Sequence, residues 1–166
     1  YEAATVGVAA AGEALRRDVR DSERCMLDLP ALANQLYRRI RHALPPLSAH
    51  RSVRCAGLNE RLRFLRYSRP GQAFALHMDG PHVRDDGPRA GETSQYTVLV
   101  YLNEGYTGCA TTFYTVDEAG EAGDSFAVPP ATGMALVCDH DILHAAPPLV
   151  SGVKHVLRTD VMFRHA

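Results

Sequence analysis

Two hydrophobic spacings divide the chain. Between Asp28 and Leu44, the residues Leu29, Leu32, Leu36 and Ile40 recur every three or four positions, which gathers apolar side chains on one face of a helix. Asp28 offers an N-cap, Pro30 suits the first helical turn, and Pro45-Pro46 stops the run. From Leu58 onward the period shortens to two. Gln95–Leu102 sets Val98, Val100 and Leu102 against Thr97, Leu99 and Tyr101. Further short strands are predicted at Leu62–Tyr67, Gln72–Asp79, Thr111–Tyr114, Ser125–Val128, Met134–Cys138 and Lys154–Phe163, separated by turn chemistry such as Pro70-Gly71. Short strands following one or two helices, without internal repeats, predict a mainly β fold with N-terminal helices (α+β), either a β-sandwich or a double-layered jelly roll. At 166 residues one domain is expected, with helical support over 1–57 and the β core over 58–163. Gly80 to Glu92 has no periodicity and reads either as a mobile lid or as a plain solvated connection.

Charge adds exclusions. Eighteen basic against nineteen acidic residues give a net charge of -1, so neither a nucleic acid nor a membrane surface is implied as partner. No apolar run approaches a membrane span and no basic-then-apolar leader is present. Cys25, Cys55, Cys109 and Cys138 are scattered without paired spacing, which predicts free thiols and a cytoplasmic setting. Seventeen arginines accompany a single lysine, Lys154. An ammonium is compact where a guanidinium is a wide fork, so one position that keeps Lys invites a reason beyond chance survival.

His77-Met78-Asp79 and the distant His144 supply that context. Residues i and i+2 of a strand share a side, so His77 and Asp79 can reach one ion while Met78 points away. Two imidazoles and one carboxylate suit one face of an octahedral Fe(II), with the opposite face open. Among eight histidines a lone His-x-Asp pair is weak evidence, and His140 competes with His144 as third ligand. Lys154 lies ten residues past His144, and Arg158 shares its face by strand alternation. Arg158 could bind a small acid, meet a substrate carboxylate, or close a plain ion pair. Tyr67 and Tyr101 by themselves read as core. Protonation of the proposed ligands would compete with metal, so affinity is expected to weaken as pH falls through about 6.5.

Seven runs give the chain a family likeness: Arg66 to Gln72, His77-Met78-Asp79, Tyr101-Leu102-Asn103, Gly108 to Phe113, Val128 to Leu136, Leu143-His144 and Gly152-Val153-Lys154. In this order they resemble the prolyl 4-hydroxylase-like 2-oxoglutarate- and Fe(II)-dependent dioxygenases, over residues 58 to 163. The resemblance implies a double-stranded β-helix (jelly roll, cupin-like) that hydroxylates an unactivated C–H bond of a prolyl residue in a peptide or protein, or of a small amino acid. It implies Fe(II), 2-oxoglutarate as co-substrate, dioxygen, and ascorbate as an optional reductant. His77, Asp79 and His144 match the iron ligands, Lys154 the partner of the co-substrate's C5 carboxylate, and Tyr67 and Tyr101 tyrosines near that co-substrate; Arg158, on the face of Lys154, is a candidate for its C1 end. Cys109 departs from the family's Gly-Gly turn, which puts the turn geometry in question. Asp79 argues against the related halogenases, which leave that position vacant. The competing readings are a non-catalytic metal-binding β-sandwich that holds a metabolite or sugar, and a cupin-type enzyme, whose usual three histidines Asp79 disfavours. Arg66, Arg69, Arg84 and Arg89 near the pocket loops suggest an acidic peptide substrate.

Overall fold

The computed structural model describes residues 1–8, 12–44 and 53–165. Strands β1 (Glu2–Ala3), β2 (Val6–Val8), β3 (Gly12–Ala14) and β4 (Glu23–Asp28) precede the helix α1 (Pro30–Ile40). After it come β5 (Val53–Leu58), β6 (Arg61–Tyr67), β7 (Phe74–His77), β8 (Thr93–Tyr101), β9 (Thr107–Gly108), β10 (Thr111–Val116), β11 (Ala122–Val128), β12 (Ala135–Asp139), β13 (His144–Ala146), β14 (Leu149–Ser151) and β15 (Lys154–His165). A seven-stranded antiparallel sheet has the order β1-β4-β6-β15-β8-β12, with β5 also paired to β15. It faces a four-stranded sheet, β11-β10-β13-β7, and side chains from both line one inner cavity. The β core thus follows the expected double-layered form. Among the described residues no helix is long and apolar enough to cross a membrane.

The N-terminal helices are not borne out. Among the described residues α1 is the one helix, and the segment before it is strand. The physical reason is that β4 buries polar groups: Arg24 is 6 % exposed, and Ser22 just before the strand is buried too. A strand whose inward residues are charged shows no hydrophobic alternation. Asp28 does not cap α1 either. Leu29 holds the N-cap position without a side-chain bond, while the Asp28 carboxylate accepts from Arg61 Nε and Nη2 at 3.0 and 3.1 Å. Pro30 stands at the first turn as expected, and Pro45-Pro46 lies outside the described residues.

Strand β15 organises both layers. Its first half pairs with β6, its second half with β5, and its other edge with β8 along its length. Alternation sends Leu157, Val161 and Phe163 toward α1, where they pack with Leu62, Val98, Leu32, Leu36 and Ile40. Val156 faces the other way and joins Leu65, Tyr67, Leu99, Tyr101 and Leu149 between the sheets. The main sheet is therefore covered on both faces, which explains why β8 carries apolar residues at even and odd positions alike.

The turn at Gly108-Cys109 keeps its left-handed form despite the missing second glycine. Cys109 has φ 53°, the one non-glycine residue with positive φ among those described, and it is fully buried. Gly108 has φ 77°, and a Cβ there would stand 2.4 Å from the Pro148 carbonyl oxygen, so β9 can lie against β14 only with glycine at this place. Gly108→Ala is expected to cost at least about 2 kcal/mol, from overpacking and the left-handed backbone together, read as a lowered urea midpoint with unchanged slope.

Candidate metal centre

The cross-strand register places the two histidines. His77 ends β7, His144 opens β13, and the two are direct partners across that pair, with ring centroids 4.3 Å apart. Each ring is oriented the same way: Nδ1 lies 2.8 Å from the Ala75 carbonyl in His77 and 2.9 Å from the Ile142 carbonyl in His144. A carbonyl only accepts, so Nδ1 carries the proton and Nε2 keeps its lone pair. Both Nε2 atoms turn to Asp79, at 3.7 Å from Oδ1 for His77 and 3.7 Å from Oδ2 for His144. The ligand atoms all lie within 4.8 Å of one another. Adjacent donors on an octahedral ion with bonds near 2.1 Å stand about 3 Å apart, so small shifts close the set on a metal.

Asp79 reaches this position by a different route from strand alternation. β7 ends at His77, and the Asp79 backbone N–H donates to the His140 carbonyl at 3.0 Å. Met78 is exposed as expected. Thr97 Oγ1 donates to Asp79 Oδ2 at 2.6 Å, and Arg158 Nη2 lies 2.9 Å from Oδ1. Burial pushes this carboxyl up, but Arg158 and Thr97 outweigh it and hold the group below the usual carboxylate range. Arg158 continues to Asp160 at 3.6 Å, and Arg63 closes on Asp160 at 2.8 Å. His140 stands apart from the triad. It is 4 % exposed, with Nε2 3.9 Å from Asp160, and its backbone rather than its ring serves Asp79.

Behind the triad a narrow cavity ends at Lys154. The register sets Lys154 opposite Tyr67, and its ammonium lies 5.3 and 5.9 Å from the ring centroids of Tyr67 and Tyr101. Lys154 is 2 % exposed and donates to the Cys109 carbonyl at 2.7 Å. No carboxylate among the described residues pairs with it. Burial lowers its pKa. Tyr101 donates to Thr111 Oγ1 at 2.8 Å on the cavity wall. A buried ammonium beside two tyrosine rings, with a carbonyl as its one hydrogen-bond partner among the described residues, is built to take an anion.

Outside the triad the cavity opens into a cleft of about 770 Å³, lined in part by Arg20, Arg24, Arg63 and Arg158. The arginines singled out from sequence are elsewhere. Arg66 pairs with Glu23, Arg69 approaches Asp21, and Arg84 and Arg89 close on Glu60, tying down the 80–92 segment. The roles of Thr97, Arg20 and Arg24 have no signature in the sequence, because a threonine in a strand and arginines before a helix form no motif. The one signal that could have found them was the excess of Arg over Lys in a chain with balanced charge.

Comparison with solved structures gives the fold. The chain superposes on a prolyl-4-hydroxylase from Pseudomonas putida with a TM-score of 0.60 at 19 % identity, covering 91 % of this chain and 76 % of that one. A Trichoplax adhaerens prolyl hydroxylase in complex with a hypoxia-inducible-factor peptide fragment gives 0.64 at 14 % identity, covering 96 % and 69 %. A viral collagen prolyl hydroxylase from Paramecium bursaria Chlorella virus-1, in its 2OG complex, gives 0.56 at 19 % identity, covering 87 % and 80 %. No family model and no curated protein matches the chain by sequence.

Burial and the neighbouring His144 bring His77 down to about 4 from an ordinary 6.5. Its share of proton competition with metal therefore moves well to the acid side of the 6.5 expected from sequence. In the unfolded chain the imidazole takes a proton below 6.5, whereas in the folded protein it does so only below about 4, so stability falls as pH drops through that window. The metal-free protein is expected to lose about 3 kcal/mol from this residue between pH 7 and 4, and His77→Gln to flatten that part of the urea-midpoint profile. A second expectation separates the two candidate third ligands. His144→Ala should weaken Mn(II) binding by at least about a hundredfold, while His140→Gln changes it by a few-fold at most, as read by calorimetry.

Proposed function

We propose that the chain is an Fe(II)- and 2-oxoglutarate-dependent oxygenase that hydroxylates an unactivated C–H bond. The observation that carries this reading is the buried Lys154, without a carboxylate partner among the described residues, at the closed end of the cavity whose mouth holds His77, Asp79 and His144. A dianion with one end on a metal and the other on an ammonium would fill that arrangement. The likeness to a structure described as a 2OG complex supports the same choice.

In this reading His77 and His144 offer Nε2 and Asp79 one carboxylate oxygen. When bound, iron supplies the oxidative chemistry, in which dioxygen and 2-oxoglutarate are consumed, succinate and carbon dioxide leave, and one oxygen atom enters the substrate C–H bond. The protein's part is to bind, orient and exclude. Lys154 takes the far carboxylate of the co-substrate, a charge-assisted bond contributing roughly 1.5–3 kcal/mol. Tyr67 and Tyr101 wall the ammonium, and Thr111 holds the Tyr101 hydroxyl. Arg158 keeps Asp79 ionised and aimed from its place on the cavity wall, within the space proposed for the co-substrate. The substrate proposed is a prolyl residue in a peptide or protein, or a small amino acid, with ascorbate as an optional reductant. A neighbour bound to a peptide fragment supports the peptide option. Free thiols at all four cysteines keep the cytoplasmic proposal open.

Anaerobic addition of Fe(II) and then 2-oxoglutarate is expected to give the weak visible charge-transfer band of a chelated 2-oxo acid. Lys154→Ala should need at least about tenfold more 2-oxoglutarate to saturate it. Iron binding without a band would favour a non-catalytic metal-binding β-sandwich instead.

A further inference from the structure

The charges around the metal centre do not balance. Among the described residues, Lys154, Arg158, Arg20 and Arg63 line the cavity and its outer cleft, while the buried carboxylates beside them are Asp79 and Asp160. Both carboxylates are committed, Asp79 to Arg158 and Asp160 to Arg63 and Arg158. Arg24, also on the cleft, has an acidic neighbour of its own in Glu2, at 3.8 Å. A divalent metal adds two positive charges and a dianionic co-substrate removes two, so the surplus persists when the centre is loaded.

Arg20 is where the surplus becomes a site. It is 5 % exposed, its Nε donates to Ser22 Oγ at 3.1 Å, and its Nη2 has no hydrogen-bond partner among the described residues. A buried guanidinium N–H without an acceptor is costly to a protein that gains nothing from it. Its position is held by stacking: the guanidinium lies 4.6 Å over the Phe74 ring, and that ring is stacked 3.6 Å from the His77 ring. Stacking uses the face of the guanidinium and leaves Nη2, on its edge, for an anion. Arg20 borders both the inner cavity and the outer cleft, two stacked layers from a metal-ligand ring. An anion on Nη2 is therefore held within one small molecule's length of the metal.

We infer that the substrate is anionic, and that Arg20 binds a carboxylate on it and so holds a neighbouring C–H bond at the metal centre. This rests on the oxygenase reading above and adds to it the substrate's charge. A carboxylate suits the guanidinium edge through two parallel N–H···O bonds. It comes either from the free α-carboxylate of a small amino acid or from an acidic side chain of a peptide.

The test uses the protein with Fe(II) and saturating 2-oxoglutarate, without oxygen, following the visible band. The probes are N-acetyl-L-alanine for a free α-carboxylate and N-acetyl-L-glutamate methylamide for a side-chain carboxylate. N-acetyl-L-alaninamide and N-acetyl-L-glutamine methylamide are the neutral counterparts. At least one acid is expected to perturb the band with an affinity about tenfold or more above its counterpart, and which acid does so identifies the source. That preference should shrink to within about twofold in Arg20→Gln, return in part in Arg20→Lys, and weaken at raised salt. The metal-free Arg20→Gln protein should melt no lower than the wild type, whereas loss of a structural ion pair would lower it. A normal wild-type band with no acid preferred over its counterpart overturns the inference. So does a preference that survives in Arg20→Gln, or an Arg20→Gln protein whose main defect is a tenfold higher 2-oxoglutarate requirement. Absence of the band from the wild type overturns the oxygenase reading itself.

Discussion

Strand β15 must satisfy two dry surfaces at once, and the rest of the molecule follows from how it does so. Its odd-numbered residues Leu157, Val161 and Phe163 build the core beneath α1, while Lys154, Val156, Arg158 and Asp160 face the space between the sheets. Pairing with β6 and β8 then sets Tyr67 opposite Lys154 and Thr97 opposite Asp160. Slipping the register by one residue would send the charged set into the hydrocarbon core and Leu157 into the cavity, so the hydrophobic face indirectly enforces the geometry of the polar one.

The polar face is held by a chain of charges rather than by isolated pairs. Arg63, Asp160, Arg158 and Asp79 follow one another from the cleft to the triad, and Thr97 closes the last carboxylate. Buried ions of this kind contribute little net stability, since desolvation offsets most of their attraction. Their effect is positional: Asp79 is kept ionised and pointed between two imidazoles whose own orientation comes from backbone carbonyls. Lys154 and Arg20 differ from these four. Each is buried with no carboxylate partner among the described residues, one behind the triad and one in front of it. Groups so placed cost stability in the free protein and return it when an anion arrives.

Much of this was legible from residue types and spacing. Period-two patterning from Leu58 onward located the β core, because side chains on a pleated strand alternate whatever the rest of the chain does. His77-Met78-Asp79, His144 and Lys154 stood out because few residue types bind metals or anions. The N-terminal strand β4 was illegible because its inward residue Arg24 is charged, and hydrophobicity is the only signal a short strand gives. The left-handed Cys109 could not be read either, since the constraint there is the close approach of the β14 backbone to Gly108.

By itself the sequence determined which side chains could do chemistry and, for Lys154 and Arg158, which strand face they share, since both depend on residue identity and local periodicity. Only the tertiary structure decided who meets whom. It drew the third ligand His144 beside His77 through a cross-strand pair, and turned Asp79 inward through a backbone bond to His140. It also spent Arg84 and Arg89 on Glu60 and stacked Arg20 on Phe74, with Nε on Ser22 and Nη2 without a partner among the described residues. Partner choice among seventeen arginines depends on distances between segments far apart in the chain, and those exist only once the sheets have closed.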